Sequence, residues 1–276
     1  MPATVDAGGI DWLFADPSAD AVAVLNCGKL AGSPVAHSLI EQLGASQGLG
    51  QEDVQNIFRG LSGVAQVALS VRGDRMVLMV LGRAPDSILP APEAGWKTVT
   101  LDGNAMLIGQ TDAVDQAAQR ILMSSPLGEL ADIALQRQTD GDFWAVGATK
   151  LAGQAAVTAG IKRFSLTASM RDRLTSDTAF EFDGVPDATA IRPWLDTISD
   201  ANLDGNAIHS RMSVNADEVR EGFSEIAGSP FGKGLAALIQ SARNLPVRDT
   251  ATTVHTKPVI FGLDDGPKEV GRAPNH

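Results

Sequence analysis

The spacing of apolar residues changes period several times along the chain, and each change marks an element. Asp16-Pro17-Ser18-Ala19-Asp20 reads as a turn. AVAVL (21–25), apolar at every position, reads as a buried strand. Ser33-Pro34 supplies a helix N-cap and a first-turn proline, and Val35, Leu39, Ile40 and Leu43 then share one helical face. Val54, Ile57 and Phe58 predict a short second helix. From 64 to 71 the period drops to two, with Val67, Leu69 and Val71 on one side. Arg72-Gly73-Asp74-Arg75 reads as a hairpin turn, and MVLMVL (76–81) as a central strand, apolar on both faces. After the Pro-rich stretch 84–95, a hairpin over 96–101 and 104–109 and helices over 111–123 and 126–137 follow.

The second half repeats this outline. FWAVGATKLAG (143–153) parallels VAVLNCGKLAG (22–32). IKRFSLTASM (161–170) alternates strictly, with Arg163, Ser165, Thr167 and Ser169 on its polar side. Phe180 and Phe182 alternate with Glu181 and Asp183, and a helix is predicted over 188–199. LDGNA occurs at 101–105 and again at 203–207, where it opens a strand over 206–214. An amphipathic helix through Val219, Phe223 and Ile226 and a Ser229-Pro230 helix follow. The shared motif order predicts an α+β fold made of two related units, 1–140 and 141–246. Each is expected to be a mostly antiparallel sheet with helices on one face, the product of an internal duplication. Residues 247–276 read as a polar tail in which 257–263 (KPVIFGL) is placed to dock as a strand on a sheet edge.

Composition narrows the function classes. The net charge is −11, and the first 140 residues carry 16 acidic against 8 basic side chains. No segment is basic enough to neutralise a phosphate backbone, so nucleic acid is not an expected partner. No stretch approaches the ~20 apolar residues of a membrane span, so membrane insertion is not expected. Tyr is absent. Cys27 is the single cysteine, which excludes an intrachain disulfide and a cysteine-based zinc site. The start, MPATVDAGGIDWLFADP, lacks the basic and long apolar regions of a signal peptide. The cytoplasm is therefore the default location, which a leader ahead of Met1 would reverse.

The order ADP, AVAVLN and KLAGSPV (15–35), with FWAVG (143–147) and VIFGLDDGPKEV (259–270), resembles a loose group of uncharacterised duplicated α+β proteins of soil-type bacteria, many of them exported. The resemblance implies a duplicated fold and an envelope location. It implies no activity.

Candidate chemistry is sparse. His37, His209, His255 and His276 form no i, i+4 pair, so no cofactor or metal is expected. Cys27-Gly28-Lys29-Leu30-Ala31-Gly32-Ser33 follows a strand, but its lysine precedes the turn instead of opening the helix, so it is not a phosphate loop. Cys27 reads as a core residue and the KLAG run as a structural bend. The helix starts at Ser33, Ser125 and Ser229 offer free N–H groups that their own serines cap. Glu218, Glu221 and Glu225 line one helical face, the usual pattern of a solvated surface. One contrast stands out between the repeats. Where the first copy has Met106, Leu107, Ile108 and Gly109, the second has Ile208, His209, Ser210 and Arg211. His209 and Arg211 then share a strand face, and Arg163 joins them if the two strands are neighbours. The leading expectation is a non-catalytic binding or interaction protein that meets a protein partner or a second copy through a sheet edge. The alternative is a small-anion binder or enzyme using His209, Arg211 and Arg163.

Overall fold

A computed structural model describes residues 9–30, 32–46, 50–52, 55, 59, 63–82, 95–101, 104–137, 141–148, 160–187, 189, 191–192 and 201–223. Several predicted features lie outside the described residues. These are the short helix at 54–58, the Pro-rich stretch, the second KLAG, most of the helix over 188–199, the Ser229-Pro230 helix and the tail.

The strands are β1 (Ala21–Leu25), β2 (Val64–Arg72), β3 (Arg75–Gly82), β4 (Trp96–Thr100), β5 (Ala105–Gln110), β6 (Phe143–Ala148), β7 (Ile161–Met170), β8 (Leu174–Phe182), β9 (Ala201–Asp204) and β10 (Ala207–Val214). They form one ten-stranded sheet in the order β4-β5-β3-β2-β1-β6-β7-β8-β10-β9. Every neighbouring pair is antiparallel. Read outward from the β1–β6 seam, the two sides have the same connectivity, and each LDGNA joins the outermost hairpin on its side. The class is α+β, as the alternating strands predicted.

The helices are α1 (Cys27–Leu30), α2 (Pro34–Ser46), α3 (Thr111–Met123), α4 (Glu129–Gln136) and α5 (Ala216–Glu221). The expected cover of one face per unit gives way here to cover on both faces of the first half. On the front face α3, α4 and a 3₁₀ turn (Trp12–Phe14) enclose Val22, Val24, Ala68, Val77, Met79, Leu107, Trp144 and Val146. On the back face α1, α2 and α5 meet Ala23, Leu69, Met76, Leu166, Met170 and Leu174. AVAVL and MVLMVL are apolar at inward and outward positions alike, so both faces must leave water. Each large side chain buried this way contributes about 1.5–3 kcal/mol. Trp12 and Trp144 pack at 5.4 Å between ring centroids, which ties the N-terminal turn to β6 across the seam.

The ends of the elements follow local chemistry, with two exceptions. Ser33 Oγ accepts the Ala36 amide at 3.0 Å and caps α2. Asn215 and Glu218 form a reciprocal capping box on α5. Lys29 and Leu30 of the KLAG run, expected as a bend, lie in the single turn of α1. Ser125-Pro126 does not begin the next helix, which starts at Glu129 with Gly128 as its N-cap. Ser124, left-handed at φ 49°, closes α3, and a Cβ at Gly128 would overlap the backbone of Pro17. That close approach ties Gly128, itself extended at φ −78° and ψ 165°, to the N-terminal turn. Ser125 therefore caps no helix.

Candidate functional site

His209, Arg211 and Arg163 all lie on the front face of the second half, as period-two alternation requires. Strand β8 separates β10 from β7, so the three are not direct neighbours. Register places Arg211 opposite Asp177 and Arg163 opposite Glu181. The Asp177 carboxylate joins two of them. His209 Nδ1 lies 3.0 Å from Oδ1, and Arg211 Nε donates to Oδ2 at 2.9 Å. Arg163 belongs to a separate cluster. Its Nε donates to Glu181 Oε2 at 2.7 Å, and its Nη1 to Glu129 Oε1 of α4 at 3.0 Å.

Electrostatically the patch is closed on itself. Partial burial raises the Asp177 pKa, but hydrogen bonds and charge from His209 and Arg211 outweigh it and hold the carboxyl below its ordinary value. An incoming anion would meet a carboxylate beside each cation. Asp177 was not among the predicted site residues, although the signal was present. Counting back in twos from Glu181 passes Ala179 and reaches Asp177 on the same face.

A second polar cluster ties strand ends together. Asp142, only 1% exposed, accepts Ser169 Oγ at 3.0 Å and the Met170 amide at 2.8 Å through Oδ2. Its Oδ1 has no hydrogen-bond partner, and Lys29 Nζ stands 3.8 Å away. Asn26 donates from Nδ2 to the Gly141 carbonyl and accepts from Gln66. Cys27 is fully buried, and burial pushes its thiol pKa up to about 12. A thiol so far from ionising is no nucleophile at neutral pH. Of the acidic helical strip, Glu218 is engaged by its capping box and by Arg173 at 3.3 Å. Among the described residues, no group of three or more His, Cys, Asp or Glu is placed to hold a metal ion, and no helix is long and apolar enough to cross a membrane.

No protein-family model matches the chain, and no curated protein aligns with it. The chain is similar to the solved structure of TP0453. For crystal form I the TM-score is 0.50 at 11% identity, over 88% of this chain and 99% of that one. For crystal form III it is 0.49 at 10% identity, over 80% and 100%. At 11% identity the likeness to crystal form I is one of fold, and it agrees with the α+β class.

Proposed function

We propose that the protein is a non-catalytic binding protein that recognises a protein partner, or a second copy of itself, through the front face and edge of its second half. One observation carries this reading. The front face is roofed by helices over β1–β3 and β5, yet over β8 and β10 it presents exposed or half-buried polar side chains: Thr175, Asp177, His209, Arg211 and Ser213. Such a surface, exposed and internally charge-paired, suits complementary docking better than enclosure of a small substrate. Among the described residues the adjoining edge strand β9 pairs only with β10, and such an edge can add a further strand. The test is native mass spectrometry on protein purified from its own host. A stoichiometric protein complex or homodimer, lost on Arg163→Glu with Arg211→Glu, is expected. An assembly indifferent to both reversals would overturn this reading.

The second reading is a small-anion site at His209, Arg211 and Arg163. It is favoured only by the shared face of the three cations. It predicts a small-mass adduct that His209→Ala with Arg211→Ala abolishes at an unchanged melting temperature.

We also infer an internal duplication, with 1–140 and 141–246 as the copies and 247–276 as a tail. Matching backbone contacts support it. The Asp20 amide donates to the Val71 carbonyl as that of Asp142 does to Ala168. Asp20 Oδ2 accepts the Gly73 amide as Asp142 Oδ2 accepts that of Met170. The Ala148 amide reaches the Asp20 carbonyl as the Asn26 amide reaches Asp142. The helices depart from the pattern, because α3 lies on the front face and α5 on the back. An envelope location rests on the resemblance alone, and the reading frame ahead of Met1 tests it.

A further inference from the structure

Where α3 crosses the β2–β3 hairpin, a shallow pocket of about 280 Å³, its open mouth included, is lined by Asp16, Ser70, Arg72, Arg75, Gln116 and Arg120. Three guanidinium groups converge there from three elements. Arg72 and Arg75 face each other across the hairpin, one on each side of the turn at Gly73. Gln116 and Arg120 are four residues apart on α3 and so lie on the same side of that helix.

The cations outnumber their partners. Arg72 Nη1 stands 3.3 Å from Asp16 Oδ2, and Arg75 Nη2 stands 3.0 Å from Asp112 Oδ2. Arg120 has a neutral partner instead: its Nη2 donates to the Phe14 carbonyl at 2.6 Å. Its Nε is buried and has no hydrogen-bond partner. A guanidinium N–H removed from water without an acceptor is a costly arrangement, and it leaves Arg120 short of partners beside the pocket. Burial depresses the Arg120 pKa, while the charge of Asp16 works the other way. The remaining polar groups are well placed to hold the frame. Ser70 Oγ accepts the Asp16 amide at 3.1 Å and fixes that loop against the sheet. The lining itself carries three guanidinium groups against the one carboxylate of Asp16, while Asp112 and Asp20 stand at its edge.

We propose that this pocket binds a small oxyanion, a phosphate or carboxylate group, gripped by Arg72, Arg75 and Arg120. Planar arginine forks present paired N–H donors matched to such oxygens. The pocket is open to solvent, so it suits a group presented at the surface. The group could arrive as a free ion or as the terminal group of something larger, and the same three arginines would hold it.

The test is titration of the full chain with sodium phosphate, sodium acetate and, at matched ionic strength, sodium chloride, followed by the arginine Nε–Hε resonances. Saturable shifts with phosphate or acetate beyond those with chloride are expected. Saturation by phosphate alone supports the site and assigns it to phosphate groups. Saturation by acetate supports it and assigns it to carboxylates. Arg75→Gln should weaken binding roughly tenfold, and Arg72→Gln with Arg75→Gln should abolish it. Both side chains are about half exposed, at 51% and 47%, so these variants keep the fold even if Arg120→Lys does not. No saturation beyond chloride, or undiminished binding by the folded double variant, would overturn the proposal.

Discussion

His209 on β10 is held 3.0 Å from Asp177 on β8, and the same carboxylate also accepts Arg211 at 2.9 Å. The strand that supplies the cations and the strand that supplies the anion are direct neighbours. The cluster is therefore built into the sheet's register and does not depend on side-chain reach alone.

This arrangement fixes a pH response. The Asp177 pKa is lower in the folded protein than in the unfolded chain. Its stabilisation is thus fully present above the unfolded value of about 3.9 and is lost as pH falls through the folded value. The Asp177 side chain is 39% exposed, so solvent screening limits the effect to at most about 1 kcal/mol. Urea unfolding from neutral pH down to about pH 3 should show a flatter acid limb for Asp177→Asn than for the unaltered protein. Identical slopes would rule out a contribution from this carboxylate.

Cys27 responds at the other end of the scale, with the opposite sign. Its pKa is raised from an ordinary 9.0 to about 12, so the unfolded thiol ionises first. Its contribution is complete below about pH 9 and fades as pH climbs toward the folded value. Iodoacetamide labelling near pH 8 should be slow in native protein and should accelerate with denaturant, because attack requires opening of the fold. Labelling of the native state at the rate of a free thiol would show that Cys27 is accessible and reactive.

Asp142 and Asp20 occupy matching places but differ in burial. Each accepts a turn amide, Met170 in one case and Gly73 in the other. Asp142 is 1% exposed and also holds Ser169, whereas Asp20 is half-buried. Asp142→Ala strands a buried amide and should cost about 2–4 kcal/mol, and Asp20→Ala about 1 kcal/mol. Chemical denaturation midpoints compare the two directly. Equal losses would show that burial does not set the difference between the two carboxylates.

Local periodicity was a reliable guide to the strands. Alternation placed 161–170 within its observed bounds, and the two-sided apolar run 76–81 became an interior strand between β2 and β5. The seam was not legible, because AVAVL and FWAVG each announce a central strand but neither names its neighbour more than a hundred residues away. The helix expected at Ser125-Pro126 failed for a similar reason. The observed start lies instead just after Gly128, which packs against Pro17 more than a hundred residues away, a contact no local signal announces. Among the site residues, alternation put His209, Arg211 and Arg163 on one face, while only register shows that Asp177 divides them into two clusters. Arg72 and Arg75 were visible as turn neighbours. Nothing local indicates that Arg120 of α3 converges on them.

The position of Trp144 has a consequence for synthesis. Its ring and Val146 fill the front core beside Trp12, Val22 and Val24. β6 also forms one of the two ladders on β1. As the chain leaves the ribosome, the first half must wait with an unfilled core and an unpaired β1 edge until residue 148 has emerged. The earliest strands therefore stay open to wrong partners through roughly half of translation. Prompt closure depends on the second half arriving before another chain does.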